Sequence, residues 1–158
     1  EGRDRLEEIR KTSQASIAKF QELTEKDTEA YLQVEAAMKM PRATEEEKGA
    51  RRAAMQEAFK VASTAPLETA DAAVAAMSLL PDLALYGNPN AVTDLAVGAL
   101  FLDLARRGAT MNVQINLGSI ADESFVAAAR QKISGQQAAA ANYMAPVQTT
   151  ARKAELDF

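Results

Sequence analysis

Over residues 4–40 the apolar side chains Leu6, Ile9, Ile17, Phe20, Leu23, Tyr31, Val34 and Met38 recur every three or four positions, with polar residues between them. That spacing gathers them on one face of a 3.6-residue helix. It does not suit a strand, whose faces alternate at every second residue. A helix of this kind must lay its apolar stripe against other elements, and the rest of the chain offers further helices.

The punctuation between them is legible. Pro41 ends the first helix. Thr44, with Glu47 three residues on, makes a capping box for a second helix that is expected to run to about residue 64. Thr64 and Pro66 suit the N-cap and first position of a third helix over 66–86, bent at Pro81 and closed by Gly87. "GNPN" is a turn, from which Asn90 is expected to cap a fourth helix over 91–117. Its first half is apolar nearly all round, the pattern of a covered helix, so 92–104 is expected to be the most buried stretch. "GSIADES" breaks the pattern, with Ser119 or Asp122 as the next cap. The last helix reaches about residue 143, Pro146 interrupts it, and a frayed tail follows. The sequence therefore predicts an all-α, up-and-down helical bundle with a long buried central helix, one domain over 1–143 and a C-terminal tail over 144–158. No strand pattern, internal repeat or interdomain linker is present.

Composition narrows the chemistry. Cys and His are both absent. That excludes zinc sites of the common kind, thiol nucleophiles and a Ser-His-Asp triad. Any proton transfer falls to Asp, Glu, Lys or Tyr. The formal net charge of −4 argues against a nucleic-acid partner. No stretch is apolar and long enough for a membrane span, so no membrane partner is expected, and the default compartment is the cytoplasm.

One feature resists a purely structural reading. The apolar fourth helix and the turn before it carry Asn88, Asn90, Asp94, Asn112 and Asn116. Asp94 and Asn112 are eighteen residues apart, five full turns, so they share a face about 27 Å apart. Gly98 sits one turn after Asp94, where a glycine costs about 1 kcal/mol relative to Ala and implies close approach of a helix or a ligand. Turn and N-cap asparagines are common for structural reasons, and Asp27 on the first helix suits a solvated position.

The segments "GNPNAVTDLAVGAL" and "GATMNVQINLGSIADESF" resemble the cyclodeaminase domain of formiminotransferase-cyclodeaminases and the stand-alone methenyltetrahydrofolate cyclohydrolases. "EKDTEAY", "PRATEEEKGARRAAMQEA" and "APLETA" resemble the same family in order and spacing. The resemblance covers roughly residues 5–130. It implies an all-α homodimer acting on a tetrahydrofolate derivative as substrate, with no metal and no redox cofactor. One family reaction closes 5-formimino-tetrahydrofolate to the 5,10-methenyl form and releases ammonia. The other adds water to the methenyl form and gives 10-formyl-tetrahydrofolate. It further implies that Asp94 is the catalytic residue. Asn88, Asn90, Thr93, Asn112 and Asn116 then bind substrate or shape its pocket, with Asp27 as a further acidic candidate. A family-type Pro-Gly-Gly-Gly-Ser opening has no counterpart ahead of Glu1. The expectation is a hydrophobic groove where the helix after that opening would pack, and little activity from the 158 residues alone. Two alternatives stay open: a non-catalytic homodimeric interaction module, and a folate-binding relative without turnover.

Overall fold

The computed structural model describes residues 2–158, and among them there is no strand. Helices α1 (Gly2–Met38), α2 (Glu45–Met77), α3 (Leu80–Tyr86), α4 (Val92–Leu117) and α5 (Glu123–Lys153) follow one another, with a 3-10 turn at Pro89–Ala91. None is long and apolar enough to cross a membrane. The all-helical expectation holds, and so do several of its stops. The capping box forms: Glu47 N donates to Thr44 Oγ1 and Thr44 N donates to Glu47 Oε2, both at 3.1 Å. Asp122, rather than Ser119, caps α5 by accepting from the backbone N–H groups of Ser124 and Phe125.

Pro66 does not start a helix. It lies buried inside a continuous α2. A proline there lacks the N–H that would serve the carbonyl of Ala62 one turn earlier. Asn116 of α4 supplies the missing donor, its Nδ2 lying 2.9 Å from Ala62 O. With that carbonyl satisfied, α2 runs on to Met77, and the break comes at Ser78–Leu79, just ahead of Pro81. Pro146 likewise fails to interrupt α5, because the carbonyl it frees belongs to the exposed Asn142 and can be hydrated. The segment expected to fray is therefore helical to Lys153, and Val147 and Ala151 are fully buried.

The helix covered on most sides is α2, which packs against α1 on one flank, α4 on the other, and α5. Its contact positions are mostly alanines, including Ala58, Ala65, Ala70 and Ala73, which let neighbouring backbones come close. One cluster joins Met77, Leu80, Ala99, Ala140 and Val147, and a second joins Val113, Leu117, Ile120, Ala129 and Ile133. The apolar circumference of α4 predicted cover all round, but this chain leaves one side open. Val97 is 50% exposed, Leu100 45%, Phe101 67% and Leu104 63%.

Candidate functional site

Helices α1 and α4 both pack on α2, and a groove of about 450 Å3 runs between them, floored by Leu79 and Leu80. Ile17 and Phe20 line it from α1, and Leu95 and Phe101 from α4. Asp94 is the one ionisable side chain among its lining residues, and Ser13 and Ser16 are the other polar ones. Asp94 makes no hydrogen bond or ion pair with any described residue. A carboxylate facing an apolar wall without a cation is open to interact with a ligand.

Helix α4 begins at Val92, so Asp94 stands in its first turn. This is closer to the N-terminus than a helix starting at residue 91 and capped by Asn90 would put it. The helix dipole there favours a negative charge by about 0.3–1 kcal/mol. Gly98, one turn on, lines the same groove, and a Cβ built on it would meet nothing within 4 Å. Its glycine is therefore not required by any other helix of this chain.

The lead-in to α4 is set by a glycine and an asparagine. At Gly87 a Cβ would lie 2.3 Å from Leu83 O, so a side chain there would push the end of α3 away. Asn88 then caps the 3-10 turn by accepting from Asn90 N at 3.0 Å. The N-cap of α4 is Ala91, with no side-chain cap, which corrects the expectation that Asn90 plays that part. Asn88, Asn90 and Thr93 are exposed and lie within six positions of Asp94.

Asp94 is the one sequence candidate that lines the groove; Asn88, Asn90, Thr93, Asn112, Asn116 and Asp27 do not. Asn112 is exposed further down α4 on the Asp94 side. Asn116 has its amide nitrogen committed to the carbonyl freed by Pro66. Asp27 is exposed on α1, seven residues past Phe20 and so about 10 Å along the helix. Sequence reasoning passed over Ser13, Phe20 and Phe101. Ser13 and Phe20 are one heptad apart, and so are Asp94 and Phe101, and that shared spacing is the signal that marks both walls.

A family model described as formiminotransferase-cyclodeaminase matches residues 1–135. The chain belongs to this family. The formimidoyltransferase-cyclodeaminase of Sus scrofa is 39% identical over 120 residues, covering 76% of this chain and 22% of that protein. The methenyltetrahydrofolate cyclohydrolase of Methylorubrum extorquens is 33% identical over 109 residues, covering 69% of this chain and 52% of that one. Among solved structures, a formiminotetrahydrofolate cyclodeaminase from Thermotoga maritima superposes with a TM-score of 0.77 at 25% identity, covering 90% of this chain and 67% of that chain. The chain thus spans about a fifth of the Sus scrofa protein and about half of the cyclohydrolase.

Proposed function

We propose that this chain is a folate one-carbon enzyme domain that interconverts 5-formimino-, 5,10-methenyl- and 10-formyl-tetrahydrofolate, as a cyclodeaminase or a methenyltetrahydrofolate cyclohydrolase. The observation that carries the proposal is the unpaired Asp94 in an otherwise apolar groove. Phe20 and Phe101 offer apolar faces to a flat pterin. The carboxylate, exposed at the groove, opposes the positive charge of the methenyl or formimino group. In ring closure, N10 attacks the formimino carbon, Asp94 accepts the N10 proton, and the proton leaves with ammonia. In hydration, Asp94 takes a proton from the water that attacks the methenyl carbon and passes it to N5 as the carbon–N5 bond breaks, while the remaining hydroxyl proton leaves to solvent and the carbon becomes the formyl group on N10. Asn88, Asn90 and Thr93, beside Asp94 at the head of α4, are proposed to bind the substrate's polar edge. Asn112, Asn116 and Asp27, outside the groove, are proposed to shape the substrate's surroundings beyond it.

A homodimer is part of the same reading. Val97, Phe101, Leu104, Gly108, Met111 and Ile115 follow one another at alternating spacings of four and three along the open side of α4. That is the seam a second helix covers, and Met111 and Ile115 are 65% and 77% exposed. The same stripe favours the second reading, an interaction module without catalysis.

Absorbance loss of methenyl-tetrahydrofolate, with ammonia release from the formimino compound, tests the proposal. Turnover in either assay supports the enzyme reading. Saturable binding of a reduced folate without turnover leaves a binder. No binding at all leaves the interaction module.

A further inference from the structure

The side of α4 that faces α5 carries a second polar constellation, which the groove does not use. Asp103, Arg106, Arg107, Thr110 and Gln114 share that side, and they meet Gln137 of α5 across a cleft of about 490 Å3. Arg106 is 6% exposed and donates from Nε and Nη2 to Asp103 Oδ1, at 2.9 and 2.7 Å. Arg107 donates from Nε to Asp103 Oδ2 at 2.6 Å. One carboxylate is thus shared by two guanidiniums, and the cluster keeps one net positive charge within a chain of formal charge −4.

Several donors are left over. Arg106 Nη1 and both Nη atoms of Arg107 make no hydrogen bond with any described residue. The side-chain amides of Gln114 and Gln137 are equally unengaged, and the buried hydroxyl of Thr110 has no partner. Asp103 is the only acid lining the cleft, and both its oxygens are already occupied. Burial pushes its carboxyl up, but the two guanidiniums together hold it below the usual carboxylate range, so it stays charged and paired. A partly enclosed space with spare guanidinium and amide donors and no free carboxylate suits an oxyanion, which Arg recognises through its planar fork.

We propose that the α4–α5 cleft binds a small anion through carboxylate or phosphate oxygens, held by Arg106 Nη1 and the free end of Arg107 with Gln114 and Gln137 beside them. The site is separate from the groove. Asp103 and Asp94 are nine residues apart, two and a half turns, and so lie on opposite sides of α4.

Calorimetric titration of the whole chain at constant ionic strength tests this, with citrate as the carboxylate probe and inorganic phosphate as the other. The expected result is saturable one-to-one binding of at least one anion, and the tighter of the two names the oxyanion chemistry. Arg107→Gln is expected to weaken it by roughly tenfold. The Arg107 side chain is 64% exposed, so the fold does not depend on it. Arg107→Lys, which keeps the charge but loses the fork, should fall between. Arg52→Gln, in a second and exposed basic cluster with Arg42, Lys48 and Arg51, should leave the affinity unchanged. No saturable binding of either anion, equal affinity in Arg107→Gln, or equal weakening by Arg52→Gln would each overturn the proposal.

Discussion

The two sides of α4 each carry an aspartate, and the two are treated in opposite ways. Asp103, facing α5, is 14% exposed and bonded by two arginines. Asp94, facing the α1 groove, has apolar neighbours and no partner. The first charge is accounted for by structure, since a part-buried carboxylate is stable where cations and hydrogen bonds surround it. The second is stabilised only by the helix N-terminus and by water, and both of its oxygens remain available. The difference separates an acid that holds the fold from one that can act on a ligand, even though the two sit on one helix only nine residues apart.

Removing each charge in turn tests the difference between the two aspartates. Asp94→Asn keeps the shape and removes the charge. It is expected to lower turnover of methenyl-tetrahydrofolate by about 100-fold or more, with little change in melting temperature. An unchanged rate in an active form of the protein would return Asp94 to a helix-end role. Asp103→Ala should do the reverse. It strands Arg106, which is 6% exposed, without its carboxylate, and is expected to cost about 3 kcal/mol in denaturant unfolding. If the loss is below about 0.5 kcal/mol, the ion cluster is no more than a surface pair.

What the sequence makes legible divides along a similar line. The capping box at Thr44 and Glu47, the stop before Pro41 and the turn at Gly87 and Asn88 are decided by residues within a few positions of each other, so spacing was enough to find them. The prolines were misread because their effect depends on something distant. Pro66 breaks a helix only if Ala62 O stays unpaired, and its donor, Asn116, comes from another helix 54 residues away. Pro146 frees the carbonyl of Asn142, an exposed residue, and α5 continues through it. The open side of α4 was read correctly as apolar, but periodicity says only that a face needs covering and does not say what covers it. Asp94 stood out because a charge in an apolar helix is conspicuous. The Arg106–Arg107 pair did not, although Asp103 precedes it at the i, i+3 and i, i+4 spacings that allow both ion pairs. Charged residues near a helix surface are usually solvated, as Arg107 is at 64% exposure, and only the packed structure shows that Arg106 is 6% exposed.

A smaller test sharpens the contrast on the groove side. Gly98 has open space where its Cβ would be. Gly98→Ala is therefore expected to stabilise the chain by about 0.5–1 kcal/mol through helix propensity alone, while weakening reduced-folate binding by intruding on the groove beside Asp94. A destabilised variant in thermal unfolding would mean that something already fills that space.

The smallest expected effect is on the acid side of the stability profile, and its sign follows from the arginine-held carboxylate. Asp103 is held below the usual carboxylate range in the folded chain, since the hydrogen bonds and charge of Arg106 and Arg107 together outweigh its burial. A depressed folded-state value means that the unfolded chain binds the proton more readily. The contribution is therefore fully present above the ordinary carboxylate value near 4, and it is lost as pH falls below that value. Asp122 adds to the same limb, because the Ser124 hydroxyl, the Phe125 backbone N–H and Lys60 all favour its charged form. Two variants separate these contributions in urea unfolding between pH 6 and pH 3. Asp103→Asn should flatten part of the acid loss and leave the part due to Asp122. Asp122→Asn, which keeps a capping oxygen, should flatten the other part. If Asp103→Asn leaves the slope below pH 4 unchanged, the two guanidiniums do not hold that carboxylate in solution, and the contrast between the two sides of α4 loses its electrostatic basis.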